Sequence, residues 1–123
     1  MDREALKAIG EKVVAANNDG SYKTLIDTVY DPSCVSVESG PVPGGSAEAQ
    51  GLEAIAGKWA WWEDNHTVHE TTAKGPFLHG DDRFGVIFAV DCTFKPTGER
   101  TQMQELAIYT VKDGKIVREE FFN

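Results

Sequence analysis

The chain has 123 residues, 20 of them acidic and 12 basic, and a formal net charge of -8. This length supports one domain over residues 1–123, and an acidic chain without clusters of Lys and Arg is predicted to bind neither nucleic acid nor an anionic membrane surface. No apolar run is long enough for a signal core or a membrane span, and Cys34 and Cys92 lack a CxxC spacing, so we expect a cytoplasmic protein with free thiols.

Two helical patterns open the chain. Residues 3–18 carry apolar side chains three and four positions apart, and Gly20 follows as a stop signal. Ser21 is a suitable N-cap for a second helix that runs to Tyr30, because its hydroxyl can accept a bond from a free backbone N–H. The proline at position 32 ends this second helix.

A short strand, a loop and a third helix are predicted next. Residues 34–39 alternate apolar and polar side chains with the period of a strand. Proline and glycine crowd residues 40–46, which we expect to form a mobile loop. Helical spacing returns between Gly51 and Asn65, where one face of the predicted helix carries Leu52, Ile55, Trp59 and Trp62.

The second half of the chain predicts an antiparallel meander of four strands. Tight turns separate these strands, which we expect at residues 66–77, 83–95, 100–112 and 115–122. The last hairpin has the strongest signal, because Asp113-Gly114 interrupts an alternating run and glycine tolerates the positive φ of a tight turn. Helices that precede an antiparallel sheet indicate the α+β class.

Strand pairing predicts which side chains share a face of the sheet. If Lys95 pairs with Arg100, one face is almost wholly apolar and Glu105 lies on it. Desolvation there would raise the pKa of this carboxyl toward the range useful for acid or base catalysis. Two alternatives stay open: a slip of one residue would put Asp91 in this place, and a surface ion pair would leave Glu105 a structural residue.

The last turn determines where Glu119 and Phe121 point. A three-residue loop would pair Tyr109 with Val117 and turn Glu119 and Phe121 inward. Glu119 would then share a proton with Glu105, a known device for acid and base catalysis. A two-residue turn would instead turn Glu119 outward.

Aromatic side chains predict a slot for a planar or hydrocarbon ligand, because they offer large rigid surfaces. The candidate ligand-binding residues are Tyr30, Trp59, Trp62, Phe88, Tyr109 and Phe121. His69, on the first long strand, is a candidate proton carrier, and a structural or surface role competes with that reading.

Neither a metal nor an organic cofactor is expected. His66 and His69 are three positions apart on a predicted strand, which points their rings to opposite faces. The glycines of residues 40–45 lack the spacing of a dinucleotide or phosphate loop.

The outer face of the meander predicts a homodimer. This face is too large and too apolar to be left in water, and its residues are Gln102, Gln104, Leu106, Ile108, Ile116 and Phe122.

The order of the elements resembles the SnoaL-like proteins of the nuclear transport factor 2-like superfamily. Two motifs carry the resemblance, the segment from Thr28 to Pro32 and the hairpin Val111-Lys112-Asp113-Gly114-Lys115-Ile116-Val117. The resemblance implies a cone, in which a strongly curved sheet wraps around three helices and encloses an apolar cavity. The superfamily holds isomerases, dehydratases and cyclases as well as members that only bind, so the fold leaves the function open.

Ketosteroid isomerase, a member of this superfamily, suggests one more site residue. Counting without gaps along the sequence from Tyr30 aligns its general-base carboxylate with Glu38. Counting from the Val-Glu pair aligns that carboxylate with Ser39 instead. Its oxyanion tyrosine and its protonated aspartate correspond to Val13 and Ala107, so the chain departs from that pattern.

The sequence is therefore compatible with two functions. The first is a cofactor-free isomerase, dehydratase or cyclase that uses cavity carboxylates to move protons on a small apolar substrate. The second is a non-catalytic module that binds a hydrophobic ligand or forms dimers.

Overall fold

The computed structural model describes residues 2–40 and 46–123. Most of the predicted mobile loop falls on residues 41–45, outside the described part of the chain. The elements in chain order are α1 Arg3–Asp19, a short 3-10 turn Tyr22–Thr24, α2 Leu25–Thr28, β1 Tyr30–Val37, β2 Glu48–Gln50, α3 Leu52–Asn65, β3 His66–His79, β4 Arg83–Phe94, β5 Glu99–Lys112 and β6 Lys115–Phe122.

The strands form one six-stranded sheet in the order β2-β1-β6-β5-β4-β3. β1 and β6 run parallel and the other neighbours run antiparallel. The three helices pack against the concave face of this curved sheet, which confirms the predicted α+β class. Within the described ranges, no helix has both the length and the apolar character needed to cross a membrane.

Helix α1 has clear start and stop signals. Asp2 caps it by accepting a hydrogen bond from the Ala5 amide at 2.7 Å, and Gly20 ends it with a φ of 84°. Gly10 lets the helix approach the sheet closely, because a Cβ at this position would lie 2.5 Å from the Cβ of Pro76. Glycine is therefore a packing requirement here.

The second helix is shorter than predicted. A 3-10 turn and α2 together end at Thr28, and Tyr30 already belongs to β1, where it pairs with Ile116 of β6. The Ile116 amide donates to the carbonyl of Val29 at 2.8 Å. This long-range pairing competes with the local helical preference and ends the helix early. The unpredicted strand β2 also depends on pairing, since its three residues bond only to β1.

The register of β4 and β5 keeps Glu105 on the inner face. Glu105 pairs with Phe88, a register two residues away from the predicted pairing, and a shift of two preserves the faces. Asp91 lies on the opposite face, where Arg100 pairs with it at 2.8 Å. The alternative that Asp91 points into the cavity is therefore wrong.

The prediction of a three-residue loop between β5 and β6 is wrong. Lys112 pairs with Lys115, and the two turn residues Asp113 and Gly114 have φ values of 52° and 79°. Both values are positive, as a two-residue hairpin turn of type I′ requires.

A β-bulge nevertheless turns Glu119 inward. The pairing of β5 with β6 shifts by one residue beside Val111, and from there Tyr109 pairs with Glu119. Ile116, which precedes the bulge, is completely buried, so its predicted place on the outer face is wrong. One extra residue in β6 therefore sets which side chains enter the molecule.

Candidate functional site

A cavity of about 960 Å³ lies between α3, β1 and the inner face of β4, β5 and β6. Every predicted site residue lines it, both the catalytic candidates Glu38, His69, Glu105 and Glu119 and the ligand-binding candidates Tyr30, Trp59, Trp62, Phe88, Tyr109 and Phe121. Their roles stay predictions. Trp61 also lines the cavity, so all three tryptophans of the chain contact this space.

Glu105 is half-buried among the apolar side chains of the inner face. The Asn123 side-chain amide donates to its Oε2 at 3.2 Å. Burial raises the pKa of the Glu105 carboxyl above its usual range, and the neighbouring charge of Glu38 adds to this rise. Two nearby arginines bind other acids, since Arg100 pairs with Asp91 and Arg118 pairs with Glu120.

Glu119 lies at the floor of the cavity with 1% of its surface exposed. The Tyr30 hydroxyl donates to its Oε2 at 2.5 Å, and its Oε1 has no partner among the described residues. Burial raises the pKa of this carboxyl, while the Tyr30 hydrogen bond and the charge of Lys58 oppose the rise. Burial and the charge of Glu119 also raise the pKa values of Tyr30 and Tyr109, so both phenols stay protonated.

Lys58 is a site residue that the sequence analysis missed. Its ammonium donates to the Ser36 hydroxyl at 2.5 Å and to Glu38 Oε2 at 2.8 Å, and it lies 4.7 Å from the centre of the Phe121 ring. Glu38 is therefore held in an ion pair at the cavity wall. Helical spacing offered a signal, because Lys58 follows Ile55 by three positions and shares its face of α3.

The cavity rim contains a second group that the sequence analysis missed. The Tyr22 hydroxyl donates to Glu63, and the Lys23 ammonium pairs with the same carboxylate at 2.8 Å. The Tyr22 ring meets the edge of Trp59 at 5.4 Å, and Trp59 in turn meets Tyr30 at 5.8 Å. An aromatic wall thus runs from the rim to the floor.

Both histidines of β3 reach the cavity. His69 lies beside a bulge in β3, and its Nε2 is 2.8 Å from the Thr93 hydroxyl. His66 stacks on Trp62 with ring centres 3.7 Å apart, and its Nδ1 carries the proton, because it lies 2.8 Å from a carbonyl oxygen that can only accept. Thr93 shares the outer face of β4 with Asp91, whereas His66 also contacts Phe94 of the inner face, so the two rings lie on opposite faces of β3 as expected. Residues 2–40 and 46–123 contain no cluster of three or more side chains that could hold a metal ion.

The arrangement is suited to proton transfer. Two inner-face carboxyls with raised pKa values, Glu105 and Glu119, share a cavity with two protonated phenols, Tyr30 and Tyr109. Carboxyls with raised pKa values and protonated phenols are groups suited to giving or taking a proton.

Comparisons with known proteins agree with this architecture. The model of the SnoaL-like domain family matches residues 5–123. A proposed SnoaL-like polyketide cyclase from Mesorhizobium loti is 34% identical, with a TM-score of 0.89, over 96% of this chain and 98% of that one. No curated protein matches the chain.

More distant solved structures share the fold alone. A proposed polyketide cyclase from Xanthomonas campestris is 16% identical with a TM-score of 0.72, over 100% of this chain and 93% of that one. A proposed isomerase from Bacillus subtilis is 19% identical with a TM-score of 0.73, over 98% of this chain and 88% of that one. The family match over most of the chain shows that this protein belongs to the SnoaL-like family of the nuclear transport factor 2-like superfamily.

Proposed function

We propose that the protein is a cofactor-free proton-transfer enzyme of the isomerase, dehydratase or cyclase type, acting on a small apolar carbonyl compound. The observation that carries this proposal is Glu105, a half-buried carboxyl on an apolar wall whose pKa is raised by burial. A carboxyl in that state exchanges protons with carbon acids more readily than one in water.

Glu105 removes a proton from the carbon beside the substrate carbonyl and returns it at a second position. Tyr109, which stays protonated, donates a hydrogen bond to the substrate oxygen as negative charge develops there. Glu38 holds the Lys58 ammonium near Glu105, and Glu119 anchors the Tyr30 hydroxyl. His69 at the rim serves as a secondary proton carrier toward solvent.

The apolar walls of the cavity have a separate role in the proposed reaction. Trp59, Trp62, Phe88 and Phe121 exclude water from the reacting atoms and hold the ring of the substrate. The polyketide cyclases and isomerases among the compared structures carry names that agree with chemistry of this kind.

The proposal predicts exchange of carbon-bound protons in deuterated water. Small cyclic ketones and lactones should exchange the protons beside their carbonyl groups in the presence of the protein, as proton NMR measures directly. Glu105→Gln should slow this exchange by about 10²-fold or more, because the amide neither takes nor returns a proton. Glu11→Gln is the matched control, since Glu11 is exposed on α1 and does not line the cavity. Exchange that is unchanged in both Glu105→Gln and Glu38→Gln would contradict the proposal.

A non-catalytic binding module is the second candidate. It is favoured by Val13 and Ala107, which the resemblance to ketosteroid isomerase sets in place of its tyrosine and aspartate. Both are completely buried. Ligand binding without any proton exchange would support this candidate.

We also propose a homodimer formed through the outer sheet face, in a cytoplasmic protein. Exposed apolar side chains support the dimer, since Phe77, Leu106 and Phe122 are 57%, 38% and 50% exposed. The free buried thiols of Cys34 and Cys92 agree with a reducing compartment.

A further inference from the structure

A side-chain amide from the residue after β6 holds the Glu105 carboxyl. Leu106 of β5 pairs with Phe122 of β6, so the next position of the ladder sets Glu105 beside Asn123 on the inner face. The Asn123 Nδ2 donates to Glu105 Oε2 at 3.2 Å. Among residues 2–40 and 46–123, Asn123 is the one residue whose side chain hydrogen-bonds to this carboxyl.

A hydroxyl from a third segment of the chain orients this amide. Ser39 lies two residues beyond the end of β1, and its Oγ donates to Asn123 Oδ1 at 2.6 Å. The oxygen end of the amide is thus engaged by a donor, which leaves the nitrogen end directed at Glu105. A short chain of hydrogen bonds therefore runs from Ser39 through Asn123 to Glu105.

The other polar neighbours of Glu105 act on it through charge. Burial and the charges of Glu38 and Glu119 raise the pKa of the Glu105 carboxyl, whereas the Asn123 hydrogen bond and the Lys58 ammonium oppose that rise. The titratable side chains around Glu105 are Glu38 on β1, Lys58 on α3, Tyr109 on β5 and Glu119 on β6. Lys58 is already bonded to Glu38 and Ser36.

We propose that Asn123 is a positioning residue for Glu105 and that Ser39 acts through it by orienting its amide. The bond engages Oε2 of Glu105 and leaves Oε1 for the proton that passes to and from the substrate. An amide can donate to a carboxylate and accept from a carboxylic acid, so this partner suits Glu105 in both protonation states, whereas an ammonium in the same place would favour the ionised form. This inference rests on the proposed function, because it concerns the same carboxyl.

A titration of Glu105 without any substrate tests the role of Asn123. Carbon-13 NMR of carboxyl-labelled glutamate follows the titration, and the Glu105 signal is the one that disappears in Glu105→Gln. Asn123→Ala should raise the pKa of Glu105, because a hydrogen bond to its charged form is lost. Asn123→Asp, which is nearly isosteric, should raise that pKa further, since it adds a second carboxylate beside the first. A Glu105 titration that neither variant changes would overturn the inference.

Variants of Ser39 test the second step. Ser39→Ala should raise the pKa of Glu105 less than Asn123→Ala does, and Ser39→Thr, which keeps the hydroxyl, should restore the wild-type titration. The double variant should titrate like Asn123→Ala alone, because Ser39 acts only through the amide. Shifts that add in the double variant would overturn the role of Ser39. Ser33→Ala is the matched control, since Ser33 is exposed on β1 and does not line the cavity.

Kinetics separate this inference from the proposed function. Asn123→Ala should lower kcat for proton exchange by about fivefold or more and change KM by less than about twofold, because the carboxyl is misplaced while the aromatic walls remain intact. An unchanged kcat would overturn the positioning role. If the wild type exchanges no protons, the proposed function fails and the titrations still test the Asn123 contact. If Glu105→Gln abolishes exchange but Asn123→Ala leaves the Glu105 titration and kcat unchanged, this inference alone is overturned.

Discussion

Glu119 shows how burial changes the acid–base behaviour of a single residue. Its pKa is raised in the folded protein, so the folded state holds a proton at pH values where the unfolded chain has released it. The unfolded state then binds fewer protons, and the free energy of unfolding falls as the pH rises. The stabilisation from this group is complete below the unfolded pKa and is lost as the pH passes through the raised folded pKa.

The effect of Glu119→Gln on the free energy of unfolding should therefore depend on pH in a defined direction. The amide cannot ionise, so the variant avoids the loss that the wild type suffers as the pH rises from about 4 toward 8. Urea denaturation across this range should show that any destabilisation of the variant shrinks with rising pH. Glu11→Gln, which removes an exposed carboxylate, should follow the wild type. A destabilisation by Glu119→Gln that grows with pH would contradict the assignment.

The inward residues of β5 were predictable because a strand alternates strictly between two faces. Glu105 and Tyr109 are four positions apart and therefore lie on the same face of β5. The observed register differs from the predicted one by two residues, and a shift of two leaves every side chain on the same face. Lys58 and Tyr22 were missed because long side chains at the edge of an apolar stripe are usually solvated. Their inward position depends on acceptors that come from distant segments, Glu38 and Glu63.

Close packing between elements is most demanding where α1 crosses the sheet. Gly10→Ala should destabilise the protein by about 1–3 kcal/mol, because the new Cβ would overlap the ring of Pro76 and force the helix and the strand apart. Gly57→Ala on α3 is the matched comparison, since nothing lies within 4 Å of a Cβ there. That variant should be stabilised by about 0.5–1 kcal/mol through the higher helix propensity of alanine. Equal effects of the two changes in urea denaturation would contradict this account.

The elements that were mispredicted have one cause in common. The early end of α2, the strand β2 and the bulge in β6 are all defined by pairing with a distant strand, and local sequence carries little information about such partners. α1, α3 and the four strands of the meander were predicted close to their observed bounds, since hydrophobic periodicity and turn residues are local signals.

At the scale of the whole molecule, the order of helices and strands was enough to indicate the fold class and the family. The outer face was predicted less well, because one of its expected members, Ile116, lies in the core instead. Phe77, which was not expected there, borders the same outer groove as Leu106 and Phe122.

The proposed homodimer makes a direct prediction. Sedimentation velocity at micromolar concentration should give a dimer for the wild type, and Phe122→Asp should shift it toward monomer, because a charge would be buried in an apolar interface. Phe77→Asp tests the same groove from β3. Lys12→Asp, on the exposed side of α1, is the control. A wild-type protein that sediments as a stable monomer would contradict the proposal.

The bulge in β6 has a consequence for how this site can change. Beyond it, alternate residues point into the cavity, and Glu119 lies opposite Tyr109 only because Val117 has no partner in the ladder. Removal of Val117 would make the ladder regular and leave Glu119 and Phe121 as wall residues. If Val117 instead paired with Thr110, then Arg118, Glu120 and Phe122 would face the cavity, so a change of pairing alone would exchange an acidic lining for a partly basic one.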